Sequence, residues 1–155
     1  MNQAENITDL SKKTAVVIGG TSGLGRAIAL GLARSGANVI ATGRREELVG
    51  EVCAEIENAG CKTLQKTVDV SSRESIDALR DAVLERFGRV DILINAAGRT
   101  AKNPTAVLSE SEWQAILDTN LNGTLRACQS FYEPLKKSGK GKIIRSYLEI
   151  PSPKS

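Results

Sequence analysis

Gly19, Gly23 and Gly25 are the residues around which chemistry can be built. They stand in Thr14-Ala15-Val16-Val17-Ile18-Gly19-Gly20-Thr21-Ser22-Gly23-Leu24-Gly25-Arg26, where an apolar run gives way to a glycine turn and then to an amphipathic segment from Leu24 to Arg34. Glycine lacks a Cβ, so it lets the chain turn sharply and lets another group come close. The helix that opens behind such a turn offers unpaired N–H groups and a positive dipole end to an anion. Strand, turn and helix in that order make a cradle for a nucleotide phosphate, with Thr21, Ser22 and Leu24 completing the turn. The same turn would also serve as a plain strand-to-helix connection with no ligand.

A dinucleotide site of this kind sets an acidic residue about twenty residues beyond the glycines, on the ribose 2′-hydroxyl of NAD. Here that place reads Ala41-Thr42-Gly43-Arg44-Arg45, with no carboxylate before Glu46. Two guanidiniums suit an adenosine 2′-phosphate, which their forked donors bind in pairs, and Ser22 can donate to the same phosphate. The reading is NADP rather than NAD; the alternative is that Arg44 and Arg45 are a solvated loop pair near a helix start. Asp69 ends a third apolar stretch, with Val70 behind it. Its carboxylate either accepts from an adenine amino group or caps the turn before Ser71 and Ser72, and the two roles are compatible. Asn95-Ala96-Ala97-Gly98 ends a fourth apolar stretch with small residues against which a cofactor can lie.

The elements that must hold these positions follow from periodicity. Strands are expected at Ala15 to Gly19, Val39 to Ala41, Thr63 to Val70, Val90 to Asn95 and from Lys142. Helices are expected from Gly23 to Ser35, stopped by Gly36, and from Glu46 to Ala59, stopped by Gly60. A third runs from a Ser71-Ser72-Arg73-Glu74 capping box, with Ser71 as cap, to about Phe87. A long helical stretch covers Glu110 to Leu135 and breaks near Asn120-Leu121-Asn122-Gly123. Alternation with short connections predicts an α/β fold, an open and mostly parallel sheet with helices on both faces and the ligand crevice at the carboxyl ends of the strands. The domain is read as 1–148, with an irregular tail at 149–155.

Composition excludes much else. The chain of 155 residues is 41% hydrophobic and 25% charged, a globular balance. It contains no histidine, so neither a Ser-His-Asp triad, a Cys-His pair nor a His-ligated metal can form. Cys53, Cys61 and Cys128 lack metal-ligand spacing and read as reduced thiols of a cytoplasmic protein; no metal is expected. A net charge of +3 without a basic run interleaved with aromatics gives no reason to expect nucleic acid. No apolar run is long enough to span a bilayer, and the polar stretch from Met1 to Lys13 is no signal peptide.

In order and spacing, these motifs resemble the short-chain dehydrogenase/reductase family. Ile18 to Gly25 is similar to that family's TGxxxGxG motif, with Ile18 for the usual Thr. Asp69-Val70 resembles its adenine-site motif, and Asn95 to Gly98 its NNAG, with Ala96 for the second Asn. Asn120-Leu121-Asn122-Gly123 resembles the NLxG segment that carries a catalytic-relay Asn, which would be Asn120. The resemblance implies a Rossmann-like doubly wound sheet of about five strands. It implies hydride transfer between a nicotinamide and a small-molecule carbonyl or alcohol. It also implies a tyrosine acid/base, whose pKa near ten a lysine one helical turn away would lower, and a serine that orients the substrate oxygen.

The chain departs from the family where those last residues belong. Gly141-Lys142-Ile143-Ile144 continues as Arg145-Ser146-Tyr147-Leu148, with Leu148 where the serine is expected, and a YxxxK motif would fall beyond Ser155. Tyr147 meets Pro151 where its lysine should be, Lys154 lies further along a proline-broken tail, and Ser146 is out of register. Tyr132, inside the long helix, reads as a packing residue. The expectation is a truncated form lacking the family's last two strands, binding NADP(H) with little turnover. The alternative is a non-catalytic NADP(H)-binding or oligomerisation module. The final strand would then be an edge, and Leu117, Leu121, Leu125 and Phe131 would lack partners, which favours a homo-oligomer through the long helix.

Overall fold

A computed structural model describes residues 9–146. Tyr147, Leu148, Pro151, Lys154 and the tail 149–155 lie outside the described residues. Four parallel strands, β1 (Thr14–Ile18), β2 (Asn38–Thr42), β3 (Ile92–Asn95) and β4 (Lys142–Arg145), form one sheet in the order β2-β1-β3-β4. Every residue of β1 is buried, as a parallel strand covered on both faces requires. The register pairs Ile18 with Thr42 and with Asn95, and Asn95 with Arg145. All four strands therefore end on one rim, and that rim positions the site.

Alternate residues of each strand point to opposite faces. Val17, Val39, Ala41 and Ile94 face α1 (Gly23–Arg34) and α2 (Glu46–Asn58), packing on Ala29, Ala33, Val52 and Ile56. Val16, Ile18, Ile40 and Leu93 face α3 (Arg73–Phe87) and α5 (Gly123–Lys137), packing on Ile76, Leu79, Val83 and Phe131. Each fully buried Val, Leu, Ile or Phe contributes about 1.5–3 kcal/mol, so the two layers hold the rim firmly. Phe131 does not lack a partner: it is fully buried with Ala127 and Leu135, one helical turn to either side. Leu121 and Leu125 lie on the other face of the helical stretch and are more than half exposed.

Three expectations are corrected in detail, and the expected break in the long helix takes a definite form. Thr63 to Val70 runs beside β2 without a regular ladder; the Val39 N–H donates to the Lys62 carbonyl at 3.1 Å and the Val68 N–H to the Gly43 carbonyl at 3.0 Å. These two isolated backbone bonds and the Thr42 hydroxyl, which donates to the Lys66 carbonyl, hold it there, while Val68 and Val70 anchor it by burial in the core. The cap of α3 is Ser72 rather than Ser71, its hydroxyl accepting from the Ser75 N–H at 3.1 Å and donating to Glu74 at 3.0 Å. The break in the long helix is a π-helical turn, Asp118–Asn122, between α4 (Glu110–Leu117) and α5. The fourth expected strand is regular from Ile92 rather than Val90, and the buried Asp91 ahead of it, a polar anchor, still bonds both neighbours, its N–H donating to the Thr14 carbonyl and its carbonyl accepting from the Lys142 N–H, each at 2.9 Å.

That anchor ties the opposite rim together. Asp91 accepts from the Thr14 N–H at 2.9 Å and from two guanidinium nitrogens of Arg89 at 2.9 and 2.5 Å, with Lys13 at 3.6 Å. Burial pushes its carboxyl up, but Arg89, the Thr14 N–H and Lys13 together outweigh burial and hold the pKa below the usual 3.8.

Candidate functional site

The three motif glycines have three different reasons to be glycine. Gly19 turns out of β1 with φ +84°, and a Cβ there would stand 2.4 Å from the Ala97 nitrogen. The turn thus lies directly on the backbone that follows β3. Gly25 lies in the first turn of α1, and its Cβ would stand 2.0 Å from the Gly19 carbonyl oxygen, so the helix rests on the turn. Gly23 has φ +52° with nothing within 4 Å of a Cβ, which leaves open space at the mouth of α1. Ser22 caps α1 in an extended conformation, and its side chain makes no capping bond. The first turn of α1 contains no acidic residue, so nothing in the helix itself neutralises its positive end.

A cleft of about 890 Å³ runs along the carboxyl rim. Of the residues singled out from the sequence, Gly19, Thr21, Ser22, Leu24 and Gly25 line it, as do Arg44, Arg45, Asp69 and Val70. Ala96, Ala97, Gly98 and Asn120 complete the wall opposite. Gly23 and Asn95 do not line it: Gly23 faces open solvent in the turn, and Asn95 is buried, its amide 3.7 Å from the Cys128 Sγ. Arg99, Thr100, Thr119 and Arg145 line the cleft as well, and no sequence motif marked them. The strand register could have found Arg145, which sits opposite Asn95 at the rim.

Asp69 uses its Oδ1 to accept from the Ser71 N–H at 2.9 Å and the Ser71 hydroxyl at 2.7 Å. The Ser71 bonds, with a smaller contribution from Arg44, hold its pKa below the usual carboxylate value, so it is ionised at neutral pH. The turn-capping role is therefore present in the structure. Asn120 sits in the π turn and clamps the loop after β3, its Oδ1 accepting from the Arg99 N–H at 2.8 Å and its Nδ2 donating to the Arg99 carbonyl at 2.9 Å. Its own carbonyl accepts from the Thr124 hydroxyl at 3.2 Å. Single π turns inside helices recur at functional sites, and this one brings Asn120 to the cleft.

Tyr132 is not a packing residue: it is 55% exposed. It lies on α5 with the Lys136 ammonium 5.8 Å from its ring centre, a cation–π pair one helical turn apart. The pair repeats the Tyr-to-Lys spacing but neither residue lines the cleft. Ser146 does line it, with its N–H donating to the Asn95 carbonyl at 3.0 Å and its hydroxyl to the same oxygen at 3.4 Å.

The short chain dehydrogenase family model matches residues 13–146, nearly the whole of the described chain. The chain belongs to the short-chain dehydrogenase family. Among its relatives, a 3beta-hydroxysteroid dehydrogenase of Mediterraneibacter gnavus is 36% identical over 134 residues, which cover 86% of this chain and 48% of that protein. An uncharacterised oxidoreductase of Staphylococcus epidermidis is 33% identical over 135 residues, covering 87% and 57%. Among solved structures, the alcohol dehydrogenase of the archaeon Thermococcus sibiricus, complexed with 5-hydroxy-NADP, superposes with a TM-score of 0.81 at 33% identity, covering 86% of this chain and 57% of that one. A short-chain type dehydrogenase/reductase from Mycobacterium marinum gives 0.84 at 29% identity, covering 89% and 56%. The chain thus spans about half the length of the relatives it matches. Short-chain dehydrogenases are oxidoreductases that use a nicotinamide cofactor, and the Rossmann-like sheet of this chain is theirs. Among the described residues, no helix is long and apolar enough to cross a membrane.

Proposed function

We propose that the cleft holds NADP(H), with the adenosine 2′-phosphate against Arg44 and Arg45 and the pyrophosphate over the turn from Gly19 to Gly25. The observation that carries the reading is a shared wall: the exposed Arg44 and Arg45 line the same cleft as the glycine turn. The residues present suit the cofactor. The mouth of α1 is open at Gly23, the Ser22 hydroxyl is uncommitted to capping, and the helix end is uncompensated. Asp69, ionised, would accept from the adenine amino group beside Val70, and the small side chains of Ala96, Ala97 and Gly98, with Asn95 behind them, would leave room for the ribose. Asn120 would act as the relay asparagine. Bound there, the nicotinamide would exchange a hydride with a carbonyl or alcohol carbon of a small-molecule substrate.

Turnover by this 155-residue chain alone is proposed to be low. What supports this is that Tyr132 and Lys136, the Tyr–Lys pair among the described residues, stand away from the cleft. The same observation favours a second reading, a non-catalytic NADP(H)-binding module of the cytoplasm. Either form is proposed to self-associate, because Leu121, Leu125 and Tyr132 form an exposed apolar stripe along the long helical stretch. Fluorescence titration of Arg44→Ala with NADPH and NADH tests the cofactor. About ten-fold weaker NADPH binding with NADH unchanged is expected, since a charged hydrogen bond is lost. Equal loss for both would return Arg44 to a solvated loop, and ketone reduction at rates ordinary for an enzyme would overturn the low-turnover reading.

A further inference from the structure

Four arginines line the cleft: Arg44, Arg45, Arg99 and Arg145. Among the described residues none of the four is in an ion pair, whereas Arg26, Arg80, Arg89 and Arg126, all outside the cleft, each hold a carboxylate. The sheet order separates them into two groups. Arg44 and Arg45 follow β2 at one edge, and Arg145 closes β4 at the other, with β1 and β3 between. Three strand spacings put about 14 Å between these ends. Arg99 follows β3, and the two bonds from Asn120 fix its backbone.

The carboxylates of the wall do not cancel the second group. Asp69 is engaged by Ser71 and lies within the influence of Arg44. Asp118 already accepts from Arg126 at 2.7 Å and from Asn122 at 3.1 Å. On the NADP(H) reading, on which this inference rests, Arg44 and Arg45 take the 2′-phosphate and the glycine turn takes the pyrophosphate. No phosphate of the cofactor is left for Arg99 and Arg145. We infer that Arg99 and Arg145 recognise a carboxylate on the substrate, so that the compound this cleft takes beside the cofactor is an oxo acid or a hydroxy acid. A guanidinium presents two parallel N–H donors at the spacing of a carboxylate's two oxygens, and a neutral ketone offers nothing equivalent. Arg145 ends a regular strand and Arg99 is clamped at its backbone, so both charges sit on fixed supports rather than on a loose tail.

Binding to the protein saturated with NADP+ tests this, because no hydride is then available to an oxo compound and only association is read. Monocarboxylates with the oxo group at the 2, 3 or 4 position are titrated calorimetrically, each beside its ethyl ester and beside inorganic phosphate. At least one acid should bind about ten-fold tighter than its ester, the size of one charge-assisted pair. Arg145→Gln should bring that acid down to the level of its ester while leaving NADP+ affinity within about two-fold, and Arg145→Lys should recover part of the difference. Acids and esters that bind alike would overturn the inference, as would phosphate outcompeting every acid. Arg145→Gln weakening NADP+ as much as the acid would assign the arginine to the cofactor instead. Failure of NADP+ itself to bind is a separate result, visible before any acid is added, and it would remove the cofactor reading and this inference together.

Discussion

Replacing Gly19 by alanine should destabilise the fold well beyond Gly23→Ala, although both residues have positive φ. An L-residue held in the left-handed region costs about 1–2 kcal/mol, and that strain is common to both. Gly23 has nothing within 4 Å of the added methyl, so its substitution costs only the strain. At Gly19 the methyl would meet the Ala97 nitrogen at 2.4 Å and the Ala96 carbonyl carbon at 2.6 Å. These are backbone atoms at the end of a buried strand, with no flexible side chain to move aside. Overpacking of that kind adds about 1–3 kcal/mol. For a chain of this size each kcal/mol moves Tm by roughly 2–4 °C, so Gly19→Ala should melt about 2–12 °C below Gly23→Ala. Thermal unfolding followed by circular dichroism, with urea unfolding alongside, reads the difference. Equal melting of the two variants would refute the claim that β1's turn is packed on the backbone after β3. Gly25→Ala, with its methyl 2.0 Å from the Gly19 carbonyl, should fall with Gly19→Ala.

Asp91→Asn should cost about 1–3 kcal/mol, since a buried acceptor of the Thr14 N–H and of Arg89 is weakened. The folded pKa of Asp91 is depressed, so its contribution is present above about pH 4 and is lost as pH falls through the folded value. Urea unfolding from pH 3 to 8 should show the gap between wild type and Asp91→Asn flat above pH 5 and closing below pH 4; a gap that closes between pH 6 and 8 would be wrong for this carboxylate. Ser72→Ala should lose about 1 kcal/mol of stability as the true cap of α3, whereas Ser71→Ala should leave the helix intact and raise the Asp69 pKa, which NMR titration can follow. Leu121→Glu with Leu125→Glu should shift size-exclusion elution to a smaller species and abolish any rise of Tm with protein concentration, because both side chains are exposed on the chain and only association would cover them; elution unchanged from that of the wild-type chain would remove this stripe as the contact.

The fold class was legible because its signals are local. Short apolar runs of strand length alternate with helices stopped at Gly36 and Gly60, and both glycines adopt positive φ. The cleft was legible for a related reason: the motif residues stand at the ends of strands, and strand ends share a rim once the sheet is parallel. Thr63 to Val70 shows the limit. Its apolar pattern suits a strand, but a ladder needs a partner in register, and this segment makes only isolated bonds to β2.

By itself, then, the sequence determined the alternating α/β pattern, the glycine turn and the pair of arginines after β2, because propensity, periodicity and the missing Cβ act within a few residues. The tertiary structure decided what depends on which elements meet. It buried Phe131 while leaving Leu121, Leu125 and Tyr132 exposed, since only one face of α5 can lie on the sheet. It gave the α3 cap to Ser72, and it made Asp91 the anchor of the far rim through a backbone N–H 77 residues away in sequence. It also brought Arg99 and Arg145 into the cleft with Arg44 and Arg45, because the rim of a parallel sheet collects side chains from strands far apart along the chain.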